Sequence, residues 1–245
     1  MTAKNMTADH ITNVEGRWGK CHFFKQDQYI GKSLFHYGEY NPDETEFILG
    51  LAAKAGKDKT VLDIGANIGV IAQALEHSGF TVEAFEPQAE IFALLKMNFT
   101  GIAYNVALGD EAGTASMPRL NFEETFNFGS SACGMVSKSR GAVRVTVRKL
   151  DDYKYDNIGL MKIDVEGYEE RVLRGAVETI ERCKPILYLE DDRRDQSPSL
   201  HKFLTELAYR WEPHHPSLYR EKNFFNKKEN VWEQKFISRN IVCYR

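Results

Sequence analysis

The stretch Val61-Leu62-Asp63-Ile64-Gly65-Ala66-Asn67-Ile68-Gly69 decides the fold of this 245-residue chain. An apolar run reaches an aspartate and breaks into a loop with two glycines, after which apolar residues recur at helical spacing. This order predicts a strand, a tight turn and a helix, the unit at which α/β proteins bind nucleotides. We therefore expect a nucleotide-like ligand against the loop residues Gly65, Ala66, Asn67 and Gly69.

Strands and helices alternate along the chain from residue 60 onward. The pattern predicts strands at 60–64, 81–85, 102–106, 160–163 and 185–189. It predicts helices at 68–78, from 87 through 95, at 168–181 and around 200–207. Two further strands are expected at 208–211 and 236–244. Alternation at this spacing indicates a parallel sheet with right-handed crossovers.

Two segments depart from this alternation. Residues 1–40 are expected to form an N-terminal cap, with a small hairpin that turns at 26–28. Residues from about 110 to 150 are expected to form an insertion near the sheet edge. In that insertion, alternating valines at 143–148 predict one half-exposed antiparallel strand. The main body of the domain is expected to cover 41–245, and the cap belongs to the same domain.

The first helix of the main body has a clear start signal. Asn41 can cap it, Pro42 suits its first turn, and Glu44 completes a pattern that resembles a capping box. We therefore assign Glu44 to the helix end at this stage.

Composition and charge exclude several classes of protein. The net charge of −3 disfavours a general nucleic-acid binder, which is usually basic. No stretch approaches the ~20 apolar residues of a membrane span, and residues 1–10 lack the apolar core of a signal peptide. The cysteines form no C-x-x-C pair, which disfavours a zinc site or disulfide framework and predicts a reducing, cytoplasmic setting. They are Cys21, Cys133, Cys183 and Cys243.

The glycine loop distinguishes between kinds of nucleotide. A dinucleotide fold needs G-x-G-x-x-G after its first strand, so that the backbone can approach a pyrophosphate. Here the middle glycine is missing and Asp63 ends the strand. A carboxylate at that point disfavours phosphates and suits a ligand that carries an ammonium group. S-adenosylmethionine has an ammonium group, a sulfonium and no phosphates.

Glu86 supports a nucleoside ligand. It ends the second strand, roughly 20 residues after the glycine loop, where an acidic residue holds a ribose diol. Because NAD has the same diol, Glu86 does not choose between the two cofactors. The alternative interpretation is that Asp63 only forms the turn and Glu86 is a solvated charge.

Several short segments between Tyr37 and Glu190 together match one known pattern. They are 37–40, 61–69, 84–87, 105–110, 161–169, 172–176 and 185–190. On these segments the chain resembles the FkbM family of class I S-adenosylmethionine-dependent methyltransferases. The glycine loop is general to the superfamily, whereas Lys162 to Glu169 followed by Gly175 is typical of this family.

The resemblance implies a Rossmann-like α/β fold, with a seven-stranded, mostly parallel sheet whose last strand is antiparallel. It implies transfer of a methyl group from S-adenosylmethionine, usually to a hydroxyl oxygen of a sugar, glycan, polyketide or other small metabolite. An NAD-dependent oxidoreductase and a non-catalytic nucleotide-binding module remain the alternatives. We expect neither nucleic-acid nor membrane partners, and the oligomeric state stays open.

The resemblance also implies roles for residues around the cofactor. Asn105 would hydrogen-bond the adenine, with Val106 and Ala107 against the ring. The alternative for Asn105 is an ordinary strand end. Other implied cofactor contacts are Pro87, which follows the ribose-binding glutamate, and Tyr37 and Glu39, which would cover the methionine end.

Three residues are the candidates for catalysis. Asp164 ends the fourth strand, where it could accept the proton of the acceptor hydroxyl, orient it, or contact the methionine moiety. Glu190 ends the fifth strand beside it, and His215 would be a better base at neutral pH. Asp164, Glu190 and Asp191 could also form an all-oxygen Mg²⁺ site, but we predict no metal.

Other charged residues near these positions receive less specific predictions. Glu166 is expected to cap the next helix, although it could also face the acceptor. Arg193 and Arg194 are expected to be solvated charges. The insertion at 110–149 and the segment 211–230 are the expected walls of the acceptor pocket.

Overall fold

The computed structural model describes residues 6–125, 127–128, 141–232 and 237–245. Its strands are β1 (Ile11–Gly16), β2 (Gly19–Phe24), β3 (Thr60–Ile64), β4 (Thr81–Phe85), β5 (Ile102–Tyr104), β6 (Ala107–Leu108), β7 (Gly113–Pro118), β8 (Ala142–Arg148), β9 (Ile158–Ile163), β10 (Ile186–Glu190), β11 (Arg210–His214) and β12 (Asn240–Tyr244). Its helices are α1 (Ile30–Tyr37), α2 (Pro42–Ala55), α3 (Val70–His77), α4 (Ala89–Asn98), α5 (Glu169–Arg174), α6 (Val177–Cys183) and α7 (Ser197–Glu206). Among the described residues, each helix is too short or too polar to traverse a bilayer.

The central sheet of the described chain has seven strands in the order β11-β12-β10-β9-β3-β4-β5. Strands β10, β9, β3, β4 and β5 are parallel to their neighbours in this run. Strand β12 is antiparallel to both β10 and β11. The predicted class I fold, with its antiparallel last strand, is therefore confirmed. The strand order reverses between β3 and β9, and ligands of open α/β sheets bind at such a point.

Apolar side chains alternate between the two faces of the sheet and fix its position. Along β3, Leu62 belongs to the cluster that packs against α5, α6 and α7, whereas Val61 belongs to the cluster that packs against α2 and α3. Both side chains are buried. Each such burial stabilises the fold by roughly 1.5–3 kcal/mol, so the register of β3 is strongly specified.

The predicted boundaries are mostly close to the observed ones. Strands predicted at 60–64 and 81–85 coincide with β3 and β4. The single helix predicted at 168–181 is wrong, because the chain breaks into α5 and α6 around Gly175. A Cβ atom at Gly175 would lie 1.9 Å from the carbonyl oxygen of Gly109, so the backbones approach too closely there for any other residue.

The N-terminal cap contains a hairpin, but not where the sequence placed its turn. Strands β1 and β2 pair antiparallel and turn at residues 17–18. The stretch 26–28 instead leads into α1, where the Asp27 carboxylate accepts a hydrogen bond from the Tyr29 amide at 2.9 Å. Side chains of β2 and α1 pack on Ile91 and Leu94 of α4, so the cap covers one end of the sheet.

The insertion forms a small sheet of its own. The strand predicted at 143–148 is β8, and it pairs antiparallel with β7 and parallel with β6. Strand β7 was not predicted, because its residues are small and lack a strong apolar alternation. Residues 126 and 129–140, which belong to the insertion expected as one acceptor wall, lie outside the described residues, as do residues 233–236, the last of which begins the final predicted strand.

The cysteines that the structure describes carry free thiols. They are Cys21, Cys183 and Cys243. Cys133, the remaining cysteine of the sequence, lies outside the described residues.

Candidate functional site

The carboxyl ends of the parallel strands open onto a cavity of about 700 Å³. This volume lies within the range of small-molecule sites, roughly 300–1,000 Å³. Residues that follow or end β3, β4, β9 and β10 line it, each predicted from the sequence: Gly65, Glu86, Asp164 and Glu190. Other predicted residues in the lining are Ala66, Asn67, Pro87, Val106 and Ala107.

The loop after β3 needs its glycines for packing. Gly65 has φ +76°, and a Cβ atom there would lie 1.8 Å from the backbone oxygen of Asp164. Gly69 has φ +88°, and a Cβ atom would lie 2.5 Å from Leu95. Gly69 precedes α3 and is not part of the cavity lining. The first glycine therefore lets β3 and β9 converge at the cavity floor, and the second seats α3 against α4.

Glu86 presents an oriented carboxylate to the cavity. Its Oε2 accepts the Asn67 amide at 3.1 Å, and its Oε1 accepts the Gln88 amide at 2.8 Å. Burial raises the pKa of Glu86 to about 7, although these two amides lower it. The carboxylate keeps lone pairs free for a diol, because each oxygen can accept more than one hydrogen bond.

Asn105 does not line the cavity. Its side-chain nitrogen donates to the backbone oxygens of Glu86 at 2.9 Å and Pro87 at 3.0 Å. Both amide hydrogens are thereby used on the loop after β4. Asn105 is therefore not placed to contact the adenine as predicted. It stabilises the loop that carries Glu86.

Asp63 is fully buried beneath the cavity and faces an ammonium group of the chain itself. Lys162 Nζ lies 3.2 Å from Asp63 Oδ1 and 3.5 Å from Asp164 Oδ2, and it donates to the Gly65 oxygen at 3.0 Å. Burial raises the pKa of Asp63, and the lysine ammonium opposes that shift. Asp63 therefore does not reach a ligand; it holds Lys162, whose side chain lines the cavity.

Lys162 is a site residue that was not predicted, although its sequence context carries a signal. All six residues of β9 are buried, and Lys162 lies among apolar ones. A buried lysine requires a paired carboxylate. In the parallel register of β3 and β9, Asp63 is the residue directly beside it.

One end of the cavity is acidic. Oxygens of Asp164, Glu166 and Glu190 lie within 4.8 Å of one another, close enough for a single cation to bridge. Burial and the neighbouring Asp164 carboxylate raise the pKa of Glu190 well above its ordinary range. Lys162 and Arg193 already lie against this cluster, and Arg193 pairs with Glu166.

Asp191, the third ligand of the Mg²⁺ site that the sequence could offer, is not part of this cluster. Its carboxylate accepts a hydrogen bond from Ser197 and lies 2.8 Å from His201 Nε2. Both partners belong to α7, so Asp191 fixes the start of that helix instead of facing the cavity.

The helix-capping role predicted for Glu166 is not observed, because α5 begins without a side-chain capping bond. Glu169, the first residue of α5, holds the loop before the helix. Its Oε1 accepts the amides of Val165 and Gly167, each at 3.1 Å. Glu166 has φ +58° and directs its carboxylate to Arg193 instead. Arg193 lines the cavity and is not the solvated charge that the sequence suggested.

Comparison with known proteins agrees with this geometry. Residues 63–211, more than half of the chain, match the family model described as the methyltransferase FkbM domain. The chain belongs to the FkbM methyltransferase family. The 31-O-demethyl-FK506 methyltransferase FkbM of Streptomyces tacrolimicus is 30% identical over 181 residues, which cover 59% of this chain and 69% of the relative.

Solved structures share the fold. The methyltransferase FkbM of Methylobacillus flagellatus KT has a TM-score of 0.50 and 17% identity, over 76% of this chain and 44% of that one. This chain therefore spans less than half the length of that protein. The tRNA (uracil-54, C5)-methyltransferase of Pyrococcus abyssi, solved with S-adenosyl-L-homocysteine, has a TM-score of 0.52 and 10% identity, over 96% of this chain and 44% of that one.

FkbM methyltransferases use S-adenosylmethionine, so the expected cofactor is confirmed for the family to which the chain belongs. The cavity suits that molecule chemically. Glu86 can hold the ribose diol, Val106 and Ala107 offer an apolar wall for a base, and the acidic end favours the ammonium and sulfonium charges.

Glu44 is a site residue that the FkbM resemblance and the sequence pattern both missed. It lines the cavity from α2, and its Oε1 accepts the Asn240 side-chain amide at 2.8 Å. Burial, followed by the charge of Asp164, raises its pKa to about 7. The sequence pattern suggested a helix cap in place of this role. In the structure Asn41 makes no side-chain capping bond, and its side-chain amide donates to the Glu44 carboxylate.

Two further predicted residues of the FkbM pattern, Tyr37 and Glu39, lie outside the cavity lining. Tyr37 donates to the Glu229 oxygen at 3.0 Å and accepts the Val231 amide at 2.8 Å. Glu39 pairs with Arg17 at 3.0 Å and accepts the Phe224 amide. Both are buried and join the N-terminal cap to the segment before β12.

His215 is exposed on the chain that follows β11. Its neighbour His214 stacks on Phe47 and bonds the Tyr188 hydroxyl through Nδ1 at 2.8 Å. Neither histidine lines the cavity, so a carboxylate is the better candidate for the base.

Proposed function

We propose that this FkbM-family chain methylates a hydroxyl oxygen of a sugar, a glycan or another small metabolite. The observation that carries the proposal is the acidic end of the cofactor cavity, where Asp164, Glu166 and Glu190 converge. Proton acceptors at that place suit a hydroxyl, which must lose its proton when its oxygen attacks a methyl group. The relative from Streptomyces tacrolimicus carries a 31-O-demethyl substrate in its name, which also supports an oxygen acceptor.

Bound S-adenosylmethionine supplies a methyl group activated by its sulfonium. Asp164 orients the acceptor hydroxyl and takes its proton as the new oxygen–carbon bond forms and the carbon–sulfur bond breaks. Lys162, 3.5 Å from Asp164 Oδ2, fixes the direction of that carboxylate. Glu44, whose pKa is about 7, is a second carboxyl group on the same wall. Burial and the charge of Asp164 keep Glu190 protonated, so its carboxyl group can donate a hydrogen bond to the acceptor but cannot serve as the base. Positioning of the two reactants supplies much of the rate.

A small acceptor is part of the proposal, as is the absence of nucleic-acid and membrane partners. The net charge of −3 and the acidic cavity suit a neutral or cationic molecule better than a polyphosphate. A cytoplasmic setting belongs to the same proposal and agrees with the free thiols of the described cysteines.

The test is methyl transfer from labelled S-adenosylmethionine to a panel of glycans, sugars and hydroxylated metabolites, with and without a chelator. We expect mass spectrometry to place the label on a hydroxyl oxygen. Label on a nitrogen or a carbon would contradict the proposal, as would failure to transfer to any hydroxyl while a nitrogen acceptor is methylated.

Replacing Asp164 with asparagine should lower kcat by about 10²-fold or more, because a positioned proton acceptor contributes on that scale. The Kd of S-adenosylhomocysteine, from calorimetry, should change far less. Asp195→Asn, an exposed position on the loop before α7, is the matched control and should leave both unchanged. If Asp164 only contacted the methionine moiety, the substitution would raise the Kd of S-adenosylhomocysteine by that factor, and kcat at saturating cofactor would stay the same.

Binding of S-adenosylhomocysteine should weaken below neutral pH. The ribose diol donates to the ionised form of Glu86, whose pKa is about 7 in the ligand-free chain. Below pH 7 most Glu86 side chains are protonated and must lose that proton when the ligand binds. The affinity should therefore be about tenfold weaker at pH 6 than at pH 8. Lys162 and Asp63 face the same region, where the lysine lowers the pKa of Glu86 and Asp63 raises it.

The Glu86→Gln variant isolates that titration. It should bind more weakly at every pH and lose the tenfold change, because glutamine does not ionise. A change of the same size in Glu86→Gln would assign the pH dependence to Glu44 or Glu169, whose pKa values burial also raises to about 7.

A further inference from the structure

Gln88 is a buried amide of the cavity wall whose hydrogen-bonding groups are unused. The residue is 1% exposed and lies two positions after Glu86. Neither its Oε1 nor its Nε2 has a hydrogen-bond partner among the described residues. Gln88 also occupies the position that caps α4, yet its side chain makes no capping bond. The local structure therefore does not account for this side chain.

A buried amide without partners costs free energy, because it has lost its bonds to water and gained none in return. An apolar side chain of the same size would avoid that cost at this position. Gln88 borders the cavity, so a bound molecule is the partner that can satisfy both of its groups.

The neighbours of Gln88 indicate which part of the cofactor it meets. Its backbone amide donates to Glu86 Oε1, which places it directly beside the carboxylate proposed for the ribose. The base is attached to that ribose and lies next to it. Apolar residues of the same cavity, Ile91 and Val106 among them, offer surfaces for a flat ring.

We propose that Gln88 recognises the adenine of the cofactor, with its carbonyl oxygen accepting from the 6-amino group and its nitrogen donating to an adjacent ring nitrogen. A glutamine amide carries the donor and acceptor that match an adenine edge. The assignment rests on S-adenosylmethionine as the cofactor in the proposed function. Asn105, for which the sequence predicted this contact, instead holds the loop in place.

The test compares two ligands and three proteins by calorimetry. The ligands are S-adenosylhomocysteine and its analogue with a purine that lacks the 6-amino group. The proteins are the unsubstituted chain, Gln88→Leu and Gln73→Leu. Gln73 is a matched control, because its amide already donates to the Lys20 oxygen at 2.8 Å.

We expect the unsubstituted chain and Gln73→Leu to bind the analogue about tenfold more weakly than S-adenosylhomocysteine, the effect of one lost hydrogen bond in a buried site. Gln88→Leu should bind the two ligands equally. Its melting temperature without ligand should be unchanged or higher, since leucine removes the unsatisfied amide.

Three outcomes would overturn the assignment, and they are distinguishable. An unchanged ratio of the two Kd values in Gln88→Leu would show that Gln88 does not contact the 6-amino group, while the cofactor stands. Failure of the unsubstituted chain to bind either ligand would overturn the cofactor itself and the assignment with it. A lower melting temperature of Gln88→Leu with both Kd values unchanged would indicate a packing role.

Discussion

Replacing Lys162 with methionine should lower the free energy of unfolding by about 3–5 kcal/mol near neutral pH, the cost of leaving a buried carboxylate without its partner. Lys162 Nζ contacts Asp63 Oδ1 at 3.2 Å, and the Asp63 side chain has no exposure to water. Denaturation by urea gives the measurement. Lys202→Met is the matched control: its ion pair with Glu206 is exposed and should contribute less than about 1 kcal/mol.

The loss of unfolding free energy in Lys162→Met should grow as the pH rises. Without the ammonium, Asp63 is held neutral by burial, so its pKa in the folded state lies above its value in the unfolded state. The folded protein then binds more protons, and its stability falls as pH rises through that range. The penalty should therefore shrink in acid.

A second substitution, Asp63→Asn, should restore part of the stability in the Lys162→Met background, because it removes the carboxyl group that must take up a proton in order to stay buried. Replacing both partners of a buried pair is often neutral. Two results would contradict this role of the pair. Lys162→Met could unfold no more easily than Lys202→Met, or the double variant could lose the sum of the free energies of unfolding that the two single variants lose.

Replacing Gly65 with alanine should also destabilise the chain strongly. The backbone φ of +76° costs an L-residue about 1–2 kcal/mol. A Cβ atom 1.8 Å from the Asp164 oxygen forces β3 and β9 apart, and overpacking of this kind costs about 1–3 kcal/mol. The expected loss is therefore about 2–5 kcal/mol, with weaker binding of S-adenosylhomocysteine because Asp164 must move.

Gly50→Ala is the matched control for this glycine. Gly50 lies within α2, and no heavy atom lies within 4 Å of a Cβ atom built on it. Alanine should stabilise the helix there by about 0.5–1 kcal/mol. Equal effects of the two substitutions on unfolding and on binding would contradict the close approach of β3 and β9 at Gly65.

The regular elements could be predicted because their signals are local. The strand at 60–64 is an apolar run that ends in the glycine loop, and the loop itself is specified by the backbone conformations that only glycine adopts easily. Glu86 and Asp164 could be assigned to the cavity because parallel strands deliver their carboxyl ends to one edge. Strand β7 was missed because a sheet edge imposes little apolar pattern on its sequence.

The side-chain partners could not be predicted in the same way. Glu44 is indistinguishable in sequence from a helix-capping residue, and only the packing of α2 against the cavity gives it a different role. Asp191 and Glu166 are both acidic residues after strand ends. The left-handed backbone at Glu166 turns its carboxylate toward Arg193, whereas α7 takes up the carboxylate of Asp191. The direction of each carboxylate depends on the elements that pack around it, not on the spacing of residues in the sequence.

The sequence by itself determined the fold class, the family and the position of the cofactor loop, because hydrophobic period and glycine placement act within a few residues. Only the tertiary structure decided that Asp63 faces Lys162 instead of a ligand, that Asn105 holds a loop, and that Gln88 borders the cavity with a free amide. The physical reason is the same in each case. Register and side-chain direction bring together groups that are distant in the chain, and burial then decides which of them need partners.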